Sequence, residues 1–316
     1  MEEKVKKLAS TIVHYSLALK KDEKVFITYQ SSEASDLVKC LIEEISQVGA
    51  VAYLNLIDPV LNNLLTETTT DVRMKLIRDY QQFENDQFDA FVQIRYGIND
   101  YEGKNINHNI LHQMGDLLKE VQDKRINEKR WVLLNYPSRL DSYKAKMKIE
   151  EFKSFAFDVM TVDYRAMSEA IRPLQELMER TDKVRIVSPN TDITFSIKGM
   201  KAIPCTGDKN IPDGELYCAP VKNSVNGTIT YNTPSPYQGN VYHHVSLTYK
   251  DGKLIKATCD EDDEALNKIF EADEGAKHVG EFSLGFNPKI LYPMGDILYD
   301  EKILGSLHFT PGRAYK

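Results

Sequence analysis

From Glu2 to Leu19, apolar side chains recur at Val5, Leu8, Ile12, Tyr15 and Leu19. Steps of three and four set one stripe along one side of a helix. KVFITY (Lys24–Tyr29) is short and rich in β-branched and aromatic residues, and predicts a strand. A second helix follows, with Leu37, Leu41, Ile45 and Val48 in line and Gly49 placed to end it. The strand signal returns in AVAYLNLI, FDAFVQIR and RWVLLN, with helical stretches between. Strands separated by helices predict right-handed crossovers and a mostly parallel sheet covered on both faces. Helices at Ile149–Met160 and Ala166–Glu179 complete this part or lead out of it.

Near Ser188–Gly199 the period changes from helical to alternating. DITFSI alternates from Asp192 to Ile197, and Asn226-Gly227 stands ahead of another alternating run, which reads as a turn. VYHHVSLTYKDGKLIKATC is a hairpin in pattern, with two alternating strands around Asp251-Gly252, where a type I′ turn belongs. A short acidic helix is expected over Asp260–Asp273, followed by two more strands. Turn formers agree with this division: residues 1–198 hold four of the sixteen glycines and four of the twelve prolines. The predicted fold is an α/β N-terminal domain with a mostly parallel sheet, residues 1–185. A mainly antiparallel β (α+β) domain follows, residues 186–316.

Composition narrows the function classes. A chain of 316 residues is long enough for two cores, and 42% apolar with 28% charged residues is the balance of a soluble globular protein. A formal charge of −7 speaks against nucleic acid as a partner, since phosphate binding needs a clustered basic face. No apolar run approaches the ~20 residues of a membrane span, so no membrane partner is expected. The opening MEEKVKKLAS is acidic and amphipathic rather than a secretory signal. Cys40, Cys205, Cys218 and Cys259 are scattered without a C-x-x-C pair, which fits reduced thiols in a cytoplasmic protein better than disulfides or a structural zinc site. The first predicted strand runs into TYQSSEASD, which has no glycine to cradle a pyrophosphate. Its serines before Glu33 read as a helix cap, and the first domain reads as scaffold and partner surface.

Candidate chemistry lies in the second domain, where three stretches share one construction. IPDGELYCAP has a Pro-Asp-Gly turn feeding a strand that begins at Glu215. HVGEFSLGFNP has Gly280 feeding a strand that begins at Glu281, and LGSLHFTPG has Gly305 ahead of a strand carrying His308. Strand side chains alternate between faces. Glu215 and Tyr217 therefore oppose Leu216 and Cys218; Glu281 and Ser283 oppose Phe282, Leu284 and Phe286; Ser306 and His308 oppose Leu307 and Phe309. Each polar residue is read either as a solvated side chain at a strand end or as one ligand of a site, and periodicity does not show that the strands converge. Two glutamates and a histidine offer oxygen and imidazole donors that suit zinc, cobalt or manganese. His243 and His244 are adjacent on a strand and face opposite ways. His278 sits near a turn, and His14, His108 and His112 read as helix surface. No G-x-S-x-G elbow or activated cysteine context occurs.

At these residues the sequence resembles the dinuclear metallo-aminopeptidases of the aminopeptidase T and aminopeptidase S type. The phrases that carry the resemblance are NIPDGELYCAPVKNSVNGTITYN, PYQGNV, DEGAKHVGEFSLGFNP and ILYDEKILGSLHFTPGRAY, in the family's order and with similar separations. They span most of the second domain closely; the first domain resembles the family loosely. The resemblance implies that Glu215, Glu281 and His308 are metal ligands, with Glu281 also serving catalysis. It implies that Tyr315 lies beside the substrate and the reaction centre. It further implies two divalent ions (zinc, cobalt or manganese), a peptide substrate cleaved at its N-terminus, and a homodimer. The family completes its site with a later His-x-Asp pair, and no His-x-Asp occurs in this sequence. Two expectations follow: a protein that continues beyond Lys316, favoured because the chain stops in mid-turn, or an impaired homologue acting as a binding or scaffold protein.

Overall fold

The computed structural model describes every residue except Asp100, Tyr101, Gln238, Gly239, Ala272, Arg313, Tyr315 and Lys316, together with the side chain of His108. The chain forms two compact units. One contains Met1–Val162 and Gly207–Pro212; the other contains Asp163–Thr206 and Asp213–Lys316. No helix among the described residues is long and apolar enough to cross a membrane.

The first unit is built on strands β1 (Lys24–Tyr29), β2 (Val51–Leu56), β3 (Ala90–Tyr96) and β4 (Arg130–Tyr136). The returning segment Gly207–Pro212 adds β8 (Asn210–Ile211), giving the order β2-β1-β3-β4-β8 with every pair parallel. Burial follows position in the sheet. Central β1 buries Val25, Phe26 and Ile27 in succession, as a strand covered on both faces must. Edge strand β2 leaves Val51, Tyr53, Leu54 and Leu56 exposed. The first helix, Glu2–Thr11, ends sooner than its stripe predicts. It passes into a π turn at Ile12–Ser16, which turns Val13 and Ser16 inward alongside Ile12. Ser31 caps the next segment by accepting from the Glu33 amide, and Gly49, at φ 76°, closes the helix Ser35–Gln47 as expected.

The second unit carries the remaining strands: β5 (Lys183–Ser188), β6 (Thr191–Ser196), β7 (Ile203–Cys205), β9 (Glu215–Cys218) and β10 (Asn226–Thr230), then β11 (Ser235–Tyr237), β12 (Asn240–Tyr242), β13 (Ser246–Lys250), β14 (Lys253–Thr258), β15 (Val279–Gly285) and β16 (Leu307–Pro311). The sequence-based boundary at 185/186 therefore falls inside β5. Two antiparallel sheets form, ordered β14-β13-β10-β6-β5 and β16-β15-β9-β7, beside a small β11-β12 ribbon. The hairpin β13–β14 turns at Asp251 (φ 50°) and Gly252 (φ 80°), the two left-handed residues of a type I′ turn. Asn226-Gly227 is not a turn. Both residues lie in β10, and a Cβ on Gly227 would come within 2.2 Å of the Asp192 carbonyl oxygen, so the glycine serves close approach to β6. The acidic helix is shorter than expected, Asp263–Ile269, with Asp262 as its cap.

The two sheets join through one apolar core. Ile193, Phe195, Ile229, Leu247 and Tyr249 come from the first sheet, and Leu216, Cys218, Phe282 and Phe309 from the second. The Phe195 ring lies 5.0 Å from Phe282 and 4.9 Å from Phe309 between centroids. Each such burial stabilises by about 1.5–3 kcal/mol. With one face of β9, β15 and β16 committed to this core, alternation turns every second residue to the opposite face.

Candidate metal centre

The opposite face is where the polar residues meet. Strand β15 lies between β9 and β16, and its register pairs Ser283 with both Tyr217 and His308, and Gly285 with Glu215. Glu215, Glu281, Ser283 and His308 thus share one side, while Phe282, Cys218 and Phe309 share the other. The face assignment read from alternation agrees with this register. The start of β15 does not: it begins at Val279, with a bulge between Val279 and Glu281 that re-aims the Glu281 end of the strand.

The three sequence-predicted ligands converge. His308 Nε2 lies 2.7 Å from Glu281 Oε1 and 3.2 Å from Glu215 Oε2. The Ser283 hydroxyl donates to Glu215 Oε2 at 2.9 Å. Glu215, Glu281 and His308 each offer one donor atom, all within 4.8 Å of one another. Lys302 completes the cluster, with Nζ 3.0 Å from Glu215 Oε1 and 2.6 Å from Glu301 Oε2, on a side chain with no exposed surface. It follows the helix Ile297–Asp300 in a turn whose backbone is tied to the site strand. The Asn287 amide donates to the Lys302 carbonyl, and the Asn287 side chain donates to the Asp213 carbonyl. A Cβ on Gly285 would lie 2.4 Å from the Ile303 carbonyl oxygen, so only glycine lets β15 pass beneath this turn.

The charges support one another. Burial works to raise the Glu215 carboxyl, but hydrogen bonding from His308 and the charges of Lys302 and His308 outweigh it and bring the group down to about 2. Burial works against the His308 imidazolium, yet its hydrogen bonds to Glu215 and Glu281 lift it to about 9. Lys302 is raised because the charges of Glu215, Glu301 and Asp213 outweigh its desolvation. Glu301 is also raised, chiefly by burial.

The donor set fits a small divalent cation. His308 Nε2 sits between two carboxylate oxygens, the place where a cation would draw on all three groups at once. Nδ1 of the same ring is buried with no hydrogen-bond partner among the described residues, so the ring's polar contacts all run through Nε2 toward the two carboxylates. Imidazole with two carboxylates is a nitrogen-and-oxygen set suited to zinc, cobalt or manganese. A second group, Cys205 with Asp213 and Glu215, also brings its donor atoms within 4.8 Å of one another. The lysine ammonium already balances the acids of that group.

The other sequence candidates lie elsewhere. Tyr315 is outside the described residues. His243 and His244 pair with Glu261 at 2.5 Å and Asp260 at 2.6 Å, and His14 pairs with Glu44. His278 bonds through Nδ1 to the Gly252 carbonyl and so braces the β13–β14 turn. All four cysteines are free. Sequence reasoning missed Lys302, Glu301 and Asp213. The available signal was DEK, three charged residues directly ahead of the strand that carries His308.

Comparison with known proteins decides the family. The whole chain, residues 1–316, matches the family described as thermophilic metalloprotease (M29). This chain belongs to the M29 family. It is 33% identical over 113 residues to Aminopeptidase 2 of Geobacillus stearothermophilus, a match covering 34% of this chain and 26% of that protein. It is 26% identical over 172 residues to Aminopeptidase PepS of Streptococcus thermophilus, covering 46% and 41%. The chain thus spans about a quarter to two fifths of these curated relatives' length. The fold matches wild-type AmpT from Thermus thermophilus with a TM-score of 0.81 at 18% identity, over 99% of this chain and 86% of that one. A 2,5-dihydroxypyridine dioxygenase from Pseudomonas putida shares the fold more distantly, with a TM-score of 0.64 at 12% identity over 99% and 87%. That this chain shares its architecture with a dioxygenase means that fold alone does not set the chemistry, which rests on the residues of the site.

Proposed function

We propose that this chain carries the metal site of an aminopeptidase that removes N-terminal residues from peptides. The observation that carries the reading is His308 Nε2 placed between the carboxylates of Glu215 and Glu281 on one partly buried polar face, in a chain of the M29 family. Glu215, Glu281 and His308 would hold a divalent ion of zinc, cobalt or manganese, and the second ion expected from family likeness would need the further ligands that the family takes from its His-x-Asp pair. Divalent ions bound there would supply Lewis acidity and a lowered water pKa.

The chain's own residues have separable tasks. Glu215 is the more deeply buried carboxylate, 7% exposed against 21% for Glu281, and Lys302 and Ser283 hold it ionised and oriented. Glu281, nearer to solvent, is the group suited to take a proton from water and return it to the leaving amine. Tyr315, four residues beyond β16, is assigned to donate to the developing oxyanion, a contact whose loss from such sites typically costs ~3–4 kcal/mol. The first unit serves as scaffold. A cytoplasmic homodimer is the assembly this reading takes from the family.

Zinc content by mass spectrometry and hydrolysis of peptide amides test the proposal. The expected result is metal bound by the wild-type chain and lost in Glu215→Gln, with unchanged circular dichroism. Equal metal content in the two proteins removes Glu215 from the site. Metal without hydrolysis favours the non-catalytic binding reading, and no metal in the wild type overturns the metal reading altogether.

A further inference from the structure

We propose that Lys302 is a positioning residue that determines which oxygen of Glu215 faces a bound cation. This inference rests on the metal reading above. The two oxygens of Glu215 are divided between different neighbours. Oε1 lies 3.0 Å from the Lys302 ammonium. Oε2 lies 3.2 Å from His308 Nε2 and accepts the Ser283 hydroxyl at 2.9 Å. Only Oε2 therefore looks toward Glu281 and the imidazole, where the donor atoms converge.

Carboxylates bind cations through one oxygen or two. Here the two-oxygen mode would require Oε1 to leave an ammonium that has no exposed surface. That ammonium cannot follow by swinging into water. It is anchored by Glu301 Oε2 at 2.6 Å and by the negative charge of Asp213, and its backbone carbonyl accepts from Asn287. A lysine buried this completely is rare, and a buried ion pair is a weak source of stability compared with apolar packing of the same volume. What such a pair supplies is orientation. Lys302 takes one oxygen of Glu215 out of play and leaves the other as the single ligand atom.

Charge and position predict different results. An ammonium beside a cation repels it, so repulsion alone predicts tighter metal binding when Lys302 is removed. The ammonium also helps keep Glu215 ionised, and weakening that comes through protonation of Glu215 disappears as pH rises, whereas weakening through lost orientation persists. Positioning predicts weaker binding, because Glu215 loses its fixed orientation. The probes are zinc, titrated calorimetrically into chelator-treated full chain, and cobalt(II), read by its visible absorption. Lys302→Met is expected to raise the zinc dissociation constant at least tenfold at unchanged stoichiometry and to alter the cobalt spectrum, with circular dichroism retained. Unchanged or tighter zinc binding by the folded variant, or an identical cobalt spectrum, overturns the inference. If the variant does not fold, a crystal structure of the zinc-loaded wild type decides. Zinc on Oε2 with Nζ still hydrogen-bonded to Oε1 is expected, and zinc on both oxygens overturns the inference. Wild-type protein that takes up no zinc overturns the metal reading and this inference with it. Zinc uptake that is indifferent to Lys302 overturns this inference alone.

Discussion

In the metal-free protein, His308 should titrate far above an ordinary histidine and make stability fall as pH rises. Its ring is 17% exposed, and burial alone would lower its affinity for a proton. The hydrogen bonds to Glu215 and Glu281, with the charge of Glu215, raise the group from 6.5 to about 9. A folded value above the unfolded one means the native state holds the proton more tightly. The stabilisation is complete below about pH 6.5 and is lost as pH climbs through about 9. The difference corresponds to roughly 3 kcal/mol. On the acid side the same attraction is read through Glu215. It is complete above about 4.5 and lost as pH falls through about 2, and since both groups share one contact the two figures are not added.

Two measurements check this. Proton NMR of the histidine C2 resonances in chelator-treated protein, with His308 assigned from its absence in His308→Gln, should give a midpoint near pH 9. Urea unfolding of wild type and His308→Gln at pH 6, 7.5 and 9 should show the stability difference shrinking by roughly 3 kcal/mol, equivalent to about 6–12 °C in Tm for a unit of this size. A His308 midpoint at or below 7, or a wild-type-minus-variant difference that is flat with pH, refutes the reasoning.

Other expectations rest on packing and backbone geometry. Phe309 is 1% exposed and its ring meets Phe195, Phe282 and Tyr249, so Phe309→Ala should cost about 3–5 kcal/mol in denaturant melts. Two glycine-to-alanine changes should have opposite signs. Gly252 is at φ 80° with the Lys222 carbonyl oxygen 1.9 Å from where a Cβ would stand, so Gly252→Ala should destabilise by at least ~1–3 kcal/mol. Gly115 lies in the helix His108–Glu128 with nothing within 4 Å of its would-be Cβ, so Gly115→Ala should stabilise by ~0.5–1 kcal/mol.

What alternation could reveal, it revealed. Each of β9, β15 and β16 has a packed face and a polar one, and that division depends only on neighbours along the chain. Their adjacency does not. Glu215, Glu281 and His308 come together because β15 pairs with both other strands across long sequence separations, and no local period encodes that choice. The family phrases supplied the link that periodicity lacked. Local signals failed where a distant partner intervened. Asn226-Gly227 has the composition of a turn, but the close passage of β6 makes the glycine a strand residue. The two-residue strand β8 carries almost no pattern, and it is defined by β4 on the far side of a long excursion through the second unit.

Lys302 shows most clearly why a charge inventory of the sequence falls short of a site. In the run Asp300-Glu301-Lys302 the lysine reads as one more solvated side chain, since most lysines keep their ammonium in water. Lying in a turn, it has no strand parity to give it a direction. Its burial follows from the tertiary structure: the turn is tied to Asn287, Gly285 admits it against β15, and the buried Glu215 presents an oxygen to it. A carboxylate held that deep must be matched by a positive charge or take up a proton. The ammonium keeps it ionised, and an ionised, fixed Glu215 is the form that a divalent cation requires.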